Sequence, residues 1–237
     1  MLNLFMIRVS IFSFLVFSAI SLFSQSKEQH RSLGDFTSIE MRGSIDVVYV
    51  PSDKYDVVIH SESPDDVVTD VREKKLYIYI KNGKPLAWKE IRSIGKKYTA
   101  YVYVPILNEI EASGSGNIVL EGVLKSDDLS ILTAGSGNVT GQVNVESLKL
   151  KSAGSGNFRL RGNVVEAAIS SSGSGNIQCF DLYTENCTIS KSGSGNTQLT
   201  VAKSLKASIS GSGNMYYRGT PNTVSCTSVG SGKIKKV

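Results

Sequence analysis

Beyond Tyr98 apolar and polar side chains alternate with period two, the pattern of strands that bury one face and expose the other. The alternation keeps step with a recurring corner. Nine residues before each corner's fourth residue stand Leu129, Leu148, Ala167, Cys187, Leu205 and Val224, and seven before stand Ile131, Leu150, Ile169, Ile189, Ala207 and Cys226. Between them come Ser130, Lys149, Ala168, Thr188 and Lys206. Past the corner the pattern resumes. One residue on are Ile118, Val139, Phe158, Ile177, Thr197, Met215 and Ile234; three on are Leu120, Leu160, Cys179, Leu199 and Tyr217. No stretch after Gln25 sustains the 3.6-residue period of a helix.

The corner is Gly-Ser-Gly-Asn, repeated six times at Gly114, Gly135, Gly154, Gly173, Gly193 and Gly211, with Gly230-Ser231-Gly232-Lys233 as a degenerate seventh copy. Successive copies are 21, 19, 19, 20, 18 and 19 residues apart, and 14 of the 22 glycines sit in them, so glycine is confined to one point of a repeating unit. A second turn is expected near Gly122, Gly141, Gly162 and Gly219. About 19 residues then complete one circuit, the length of a solenoid coil whose equivalent strands pair in parallel. The predicted fold is an all-β right-handed parallel β-solenoid (β-helix). Gly and Asn tolerate sharp bends, and stacked amides of Asn117, Asn138, Asn157, Asn176, Asn196 and Asn214 can donate and accept along the axis as a structural ladder.

The N-terminal third follows the same scheme less regularly. Gly43-Ser44-Ile45-Asp46 reads as a worn first corner, and strands are expected at Tyr55–His60, Lys75–Ile80 and Tyr98–Val104. The expected organisation is a signal peptide over 1–24, a mobile tail over 25–34 and one solenoid domain over 35–237. Within it, 35–104 holds irregular coils with an inserted loop at 81–97, and 105–237 holds regular repeats. The apolar run from Ile11 to Phe23 after Arg8 is signal-peptide anatomy and falls short of the roughly 20 residues that span a bilayer. The mature chain is therefore expected to carry no transmembrane segment and to be exported to the periplasm or cell surface.

Serial Ser-Gly-Ser-Gly-Asn corners, Gly-Ser-Ile-Asp-Val at 43–47, Val-Pro-Ile-Leu at 104–107 and Gly-Ser-Gly-Lys-Ile at 230–234 together resemble the head GIN domain family of putative auto-transporter adhesins. The resemblance extends from about Asp35 to Val237. It implies a secreted bacterial β-solenoid and leaves the activity open, because a fold does not establish a function.

Candidate chemistry narrows the function. Asn replaces the carboxylate that calcium-binding Gly-rich repeats use, so the corners are not expected to hold a cation, and no cofactor is expected. Asp127, Asp128, Glu146, Glu166, Asp181 and Glu185 fall at unrelated registers, and His30 and His60 are the two imidazoles. Seven equivalent Gly-Ser-Gly copies describe a scaffold, since a nucleophile is needed once. Cys179, Cys187 and Cys226 fall in inward registers and read as small core residues. The chain has a formal net charge of +5, and with export this argues against a nucleic-acid partner. In the insert, Trp88 lies among Lys89, Arg92, Lys96 and Lys97, which either contact a sugar or anionic polymer or cap the solenoid's N-terminal end. Outward Lys149, Lys151, Arg159, Arg161, Gln178 and Gln198 are spaced to track a repeating polymer. The expected function is a non-enzymatic, adhesin-like binding or structural module of the cell envelope, with polysaccharide or an envelope component as partner; the alternative is a carbohydrate-active β-helix lyase or hydrolase.

Overall fold

The computed structural model describes residues 26–81 and 97–237. The signal-peptide segment 1–24 and Trp88, Lys89, Arg92 and Lys96 of the insert lie outside the described residues. In chain order the strands are β1 (Lys27–Ser32), β2 (Ser38–Gly43), β3 (Ile45–Pro51), β4 (Asp56–Ser61), β5 (Val67–Arg72), β6 (Lys75–Ile80), β7 (Tyr98–Val104) and β8 (Glu109–Gly114). Five long strands follow, β9 (Ile118–Gly135), β10 (Val139–Gly154), β11 (Phe158–Gly173), β12 (Ile177–Ser192) and β13 (Thr197–Ser210), then β14 (Met215–Arg218), β15 (Thr223–Val229) and β16 (Ile234–Lys236). They form one sheet wound into a β-solenoid. Each long strand is one coil, paired in parallel with the coils before and after it; Leu148 of β10, for example, lies between Leu129 of β9 and Ala167 of β11.

The interior is built from the apolar columns read in the sequence, with Leu129, Leu148, Cys187, Leu205, Ile131, Leu150, Ile169 and Ile189 all buried. Burial of apolar surface supplies the main drive for stacking coil on coil. On the last coil Val224 is 47% exposed and Cys226 is half-buried, because β15 has a neighbouring coil on one side only. Of the four expected second turns, three do not break the strand, since β9, β10 and β11 run through Gly122, Gly141 and Gly162, while at Gly219 the strand does end, β14 stopping at Arg218 and β15 starting at Thr223. The unbroken coils bend at these glycines, and the ladder shifts register at the bend, between Gly141 and Gln142 against β9 and between Phe158 and Gly162 against β12. A shift in the inside-outside alternation accompanies it, as at Val165 and Glu166, which both face outward between buried Val164 and Ala167.

Two further corrections concern the N-terminal end. Residues 27–32, expected as a mobile tail, form strand β1, antiparallel to β4. Arg31 pins it, donating to the backbone oxygens of Val67 at 2.8 Å and Pro64 at 2.9 Å and to Thr69 Oγ1 at 3.1 Å. Chain order and stacking order also part company. The coil made by β6 and β7 lies outside the one made by β2 and β3, which is paired on its other side with β8 and β9. Antiparallel β4 and β5 then join β7 and β6, so this end is no simple run of parallel coils.

The corners set the coil spacing. Gly173 has φ +124°, and a Cβ on it would lie 2.1 Å from the carbonyl oxygen of Gly154 in the preceding coil. Gly175 lacks the unusual dihedral but meets the same obstacle, 2.0 Å from the oxygen of Gly156. The corner asparagines do not take positive φ; among the described residues only Glu73 and Lys74 do so without being glycine. Asparagine is there for its amide.

One column was not legible in the sequence. Five residues before each corner asparagine, Thr133, Ser152, Ser171, Lys191 and Ile209 stack in register. Lys191 is 2% exposed, and its Nζ donates to the backbone oxygen of Gly175 at 2.9 Å, with Ser171 Oγ at 3.4 Å. Burial pushes its ammonium pKa down.

Gly173→Ala is expected to cost at least ~3 kcal/mol, through strain and the clash with Gly154, whereas Ser174→Ala costs within ~0.5 kcal/mol; paired denaturant titrations check this. Lys191→Met is expected to raise the melting temperature at neutral pH, because it removes a charge from the core. The sign with pH follows: the unfolded lysine binds its proton more tightly than the folded one, so wild-type stability rises as pH climbs toward about 10.4. The gap between variant and wild type should narrow over that climb. Melts of both at neutral and alkaline pH test it, and a lower melting temperature for the variant would show that the hydrogen bonds of Lys191 outweigh its burial.

Candidate functional site

The site begins with the asparagine column. Asn117 Oδ1 accepts from the backbone N–H of Asn138 at 3.1 Å and from its Nδ2 at 3.0 Å. The same pair of bonds recurs from Asn157 to Asn138 and from Asn176 to Asn157 at 2.9–3.0 Å. Asp46 begins the series, its Oδ1 accepting from Asn117 N and Nδ2 at 2.9 and 3.0 Å. Beyond Asn176 only the backbone bond persists: Asn196 N to Asn176 Oδ1 at 2.8 Å, Asn214 N to Asn196 Oδ1 at 3.0 Å, and Lys233 N to Asn214 Oδ1 at 3.1 Å. A primary amide has two N–H donors and the ladder uses one. Asn138, Asn157 and Asn176 therefore each keep one donor free of the ladder.

Beside the column runs a row of outward side chains. Parallel pairing brings Tyr101, Val48, Val119, Thr140 and Arg159 side by side, and Gln178, Gln198, Tyr216 and Lys235 continue the row. The join is made by Arg159 Nη2, which donates to Gln178 Oε1 at 2.7 Å. Column and row border an open groove of about 730 Å³ whose walls include Tyr101, Thr99, Thr140, Arg159, Gln178 and four ladder asparagines. Lys97 also lines it, with Nζ 3.7 Å from Asp46 Oδ2. Tyr101 packs against His60, ring centroids 4.7 Å apart, which sets the aromatic face at the groove's N-terminal end. Of the expected contact residues, then, Lys97 is placed at this groove.

The outward polar residues do not share one face. Arg159, Arg161, Gln178 and Gln198 lie on the strands that follow the corner. Lys149 and Lys151 lie past the second bend, in register with Ser130 and Leu132, and Lys151 lines a separate groove with Glu40 and Glu111. Tyr101 was missed in the sequence because its row depends on which strand neighbours β7. The signal for Arg159 and Gln178 was their spacing.

The acids divide. Asp127, Asp128 and Glu146, expected at unrelated registers, line one open groove of about 690 Å³ with Asn108, Lys125 and Asn144. Glu166 instead accepts from Asn186 at 2.6 Å, and Glu185 pairs with Lys203 at 2.5 Å. Among the described residues no three His, Cys, Asp or Glu side chains converge as a metal site would require. His30 Nδ1 lies 3.5 Å from Asp56 Oδ2 and His60 Nε2 lies 3.6 Å from Glu28 Oε1, both across the β1–β4 pair. Burial pushes the Cys179 thiol up to about 11 and the Cys187 thiol up to about 12, which keeps both protonated and weakly nucleophilic at neutral pH. Tyr98 is likewise pushed up to about 12, by burial and then by its hydrogen bond to Asp66. Among the described residues no helix is long and apolar enough to cross a membrane.

Comparisons with known proteins agree on one family. The family model described as "Putative auto-transporter adhesin, head GIN domain" matches residues 35–221. A "putative adhesin" from Bacteroides fragilis has a solved structure with TM-score 0.79 and 25% identity, covering 90% of this chain and 97% of that one. A "putative lipid binding protein" from Parabacteroides distasonis is similar at TM-score 0.69 and 28% identity, with 90% and 97% covered. A "putative adhesin" from Parabacteroides merdae gives 0.67 and 25%, with 90% and 96% covered. No curated protein matches the chain.

Proposed function

The chain belongs to the head GIN domain family of putative auto-transporter adhesins, and we propose that it is an exported, non-enzymatic binding module of the bacterial cell envelope that holds polysaccharide in the groove beside its asparagine ladder. The observation that carries this reading is the make-up of that groove. Amides of Asn138, Asn157, Asn176 and Gln178, the hydroxyl of Thr140, the guanidinium of Arg159 and the ring of Tyr101 line one open channel. Sugars are recognised by such a mixture, with amides and hydroxyls matching their hydroxyl groups and an aromatic face covering their C–H surface. An open channel along the solenoid axis suits a polymer, whose residues meet similar groups at successive coils.

The reading of export rests on the apolar segment after Arg8, and places the protein in the periplasm or at the cell surface. The relatives described as adhesins support a contact outside the cytoplasm. Trp88 and its basic neighbours remain a second proposed contact, adjoining in sequence the Lys97 that lines the groove. The enzymatic alternative has one observation in its favour, the gathering of Asp127, Asp128 and Glu146 around the second groove, since glycoside hydrolysis needs a pair of carboxylates.

Incubation of the protein with a panel of bacterial polysaccharides, scoring retention and released oligosaccharides together, separates these readings. Retention without release is expected, and Tyr101→Ala is expected to weaken it about tenfold, the loss of ~1.4 kcal/mol of ring contact. Release of oligosaccharides that Asp127→Asn or Glu146→Gln abolishes would establish the enzyme instead. Absence of both retention and release would overturn polysaccharide as the partner.

A further inference from the structure

Arginine is distributed on this surface in two distinct ways. Arg42 pairs with Glu40 and Arg72 with Asp70, both at 2.5 Å, and Arg31 is spent on the backbone oxygens of Val67 and Pro64. The other three described arginines, Arg159, Arg161 and Arg218, have no carboxylate partner among the described residues. All three stand on the strands that follow the corner, facing outward. Arg159 and Arg161 are two residues apart on β11, about 6.6 Å along the strand. Arg218 is on β14, three coils further, or roughly 14 Å along the axis.

The groups between them complete a strip. The Arg218 guanidinium carbon lies 4.0 Å from the centroid of the Phe180 ring, a cation–π contact that uses the ring face and none of the N–H donors. Thr200, between the two strands, is paired with Arg218 and donates from its Oγ1 to the Phe180 oxygen at 2.6 Å. Arg159 gives one nitrogen to Gln178 and keeps the others. The acids on this side are Asp46, bound into the asparagine ladder, Glu28 and Asp56 beside His60 and His30 at the N-terminal end, Glu121 two coils before Arg161, and Asp181 at the bend after Phe180. Arginine outnumbers carboxylate where the strip runs from β11 to β14.

We propose that this strip, a continuation of the groove toward the C-terminal coils, selects a linear polysaccharide that carries carboxylates at intervals along its length. The inference rests on the polysaccharide reading above and names its chemical class. A planar guanidinium offers two parallel N–H donors that match a carboxylate, which a lysine ammonium does not. Free guanidinium edges on β11, and again three coils further on β14, fit a polymer with recurring anionic groups. A neutral glycan would leave those donors with water alone, and a small acid would meet only one of them. Gln178, Gln198 and Thr200 supply neutral partners for hydroxyl groups between the charges, and Phe180 supplies an apolar surface.

The test measures binding of the full chain to immobilised polygalacturonate and to neutral galactan, at low and at high salt. Polygalacturonate is expected to bind more tightly and to weaken with salt. The triple variant R159Q/R161Q/R218Q is expected to lose about tenfold or more in affinity, the scale of losing one or two charge-assisted hydrogen bonds. The triple variant K149Q/K151Q/K206Q removes the same charge beyond the second bend and is expected to change affinity less than about twofold. Equal loss in the two triple variants would show attraction to bulk charge and overturn the strip. Tight galactan binding that the arginine variant leaves untouched would overturn the anionic class while keeping the polysaccharide reading. Failure of wild-type protein to hold either polymer, or any other glycan of the panel, would overturn both.

Discussion

At every corner of the regular coils a backbone carbonyl oxygen occupies the space that a side chain on the next coil's glycine would need. That contact holds successive coils at sheet spacing through a sharp bend, and it requires glycine twice per corner. The asparagine that follows closes the arrangement. Its Oδ1 accepts the backbone N–H of the next coil's asparagine, so a donor that the bend would leave without a partner is satisfied inside the protein. With the corners locked, each coil enters and leaves its corner in register with the next, differences in coil length are taken up by register shifts at the second bend, and register is what stacks like on like. The inward positions become continuous apolar columns, and the outward positions become rows of side chains one coil apart. Core and groove are two results of one constraint.

The same constraint explains how the stack tolerates polar groups inside it. Thr133, Ser152, Ser171 and Lys191 follow one another in an inward column next to the corners, where backbone oxygens are close at hand. Lys191 uses the oxygen of Gly175. Farther from a corner the columns are mostly apolar; Thr184, buried between Val164 and Val201, meets its need by donating to the backbone oxygen of Thr200 at 2.8 Å. On the outer surface the stacking brings amides, arginines and rings into line without any loop. The proposed polymer contact therefore lies on rigid strands, which limits the entropy lost on binding.

Much of this was legible in the sequence because period-two alternation and the spacing of the corners report the same coil. The columns through Leu148, Ile169 and Phe158 and the asparagine positions could be read directly. The column of Lys191 could not, since a lysine on an alternating strand is ordinarily solvated. The N-terminal end was obscured for a different reason. Strands such as Val47–Val50 and Tyr98–Val104 state that they are half-buried but not which neighbour they take, so the placement of β6 and β7 outside β2 and β3 depended on tertiary pairing. The β5–β6 turn is made by Glu73 and Lys74 at positive φ, residues that carry no turn signal. In β1, the polar Lys27–Ser32 looked like a tail because its anchor, Arg31, acts on residues more than thirty positions away. At the groove, the spacing of Arg159 and Gln178 was visible, while Tyr101 joined them only through that unread pairing.

Hydrogen exchange at the corner amides reports whether the asparagine side chains pin one coil to the next. If asparagine side chains pin successive coils, the backbone amide of Asn157 is protected in the wild type to the same degree as the strand amides beside it, and Asn138→Ala, which removes its acceptor, speeds its exchange about tenfold or more. The amide of Ile177, which bonds to the backbone oxygen of Asn196, keeps its protection in that variant. Solvent-like exchange at Asn157 in the wild type, or no change on losing Asn138, would contradict the account and leave the glycine contacts alone to hold the corners.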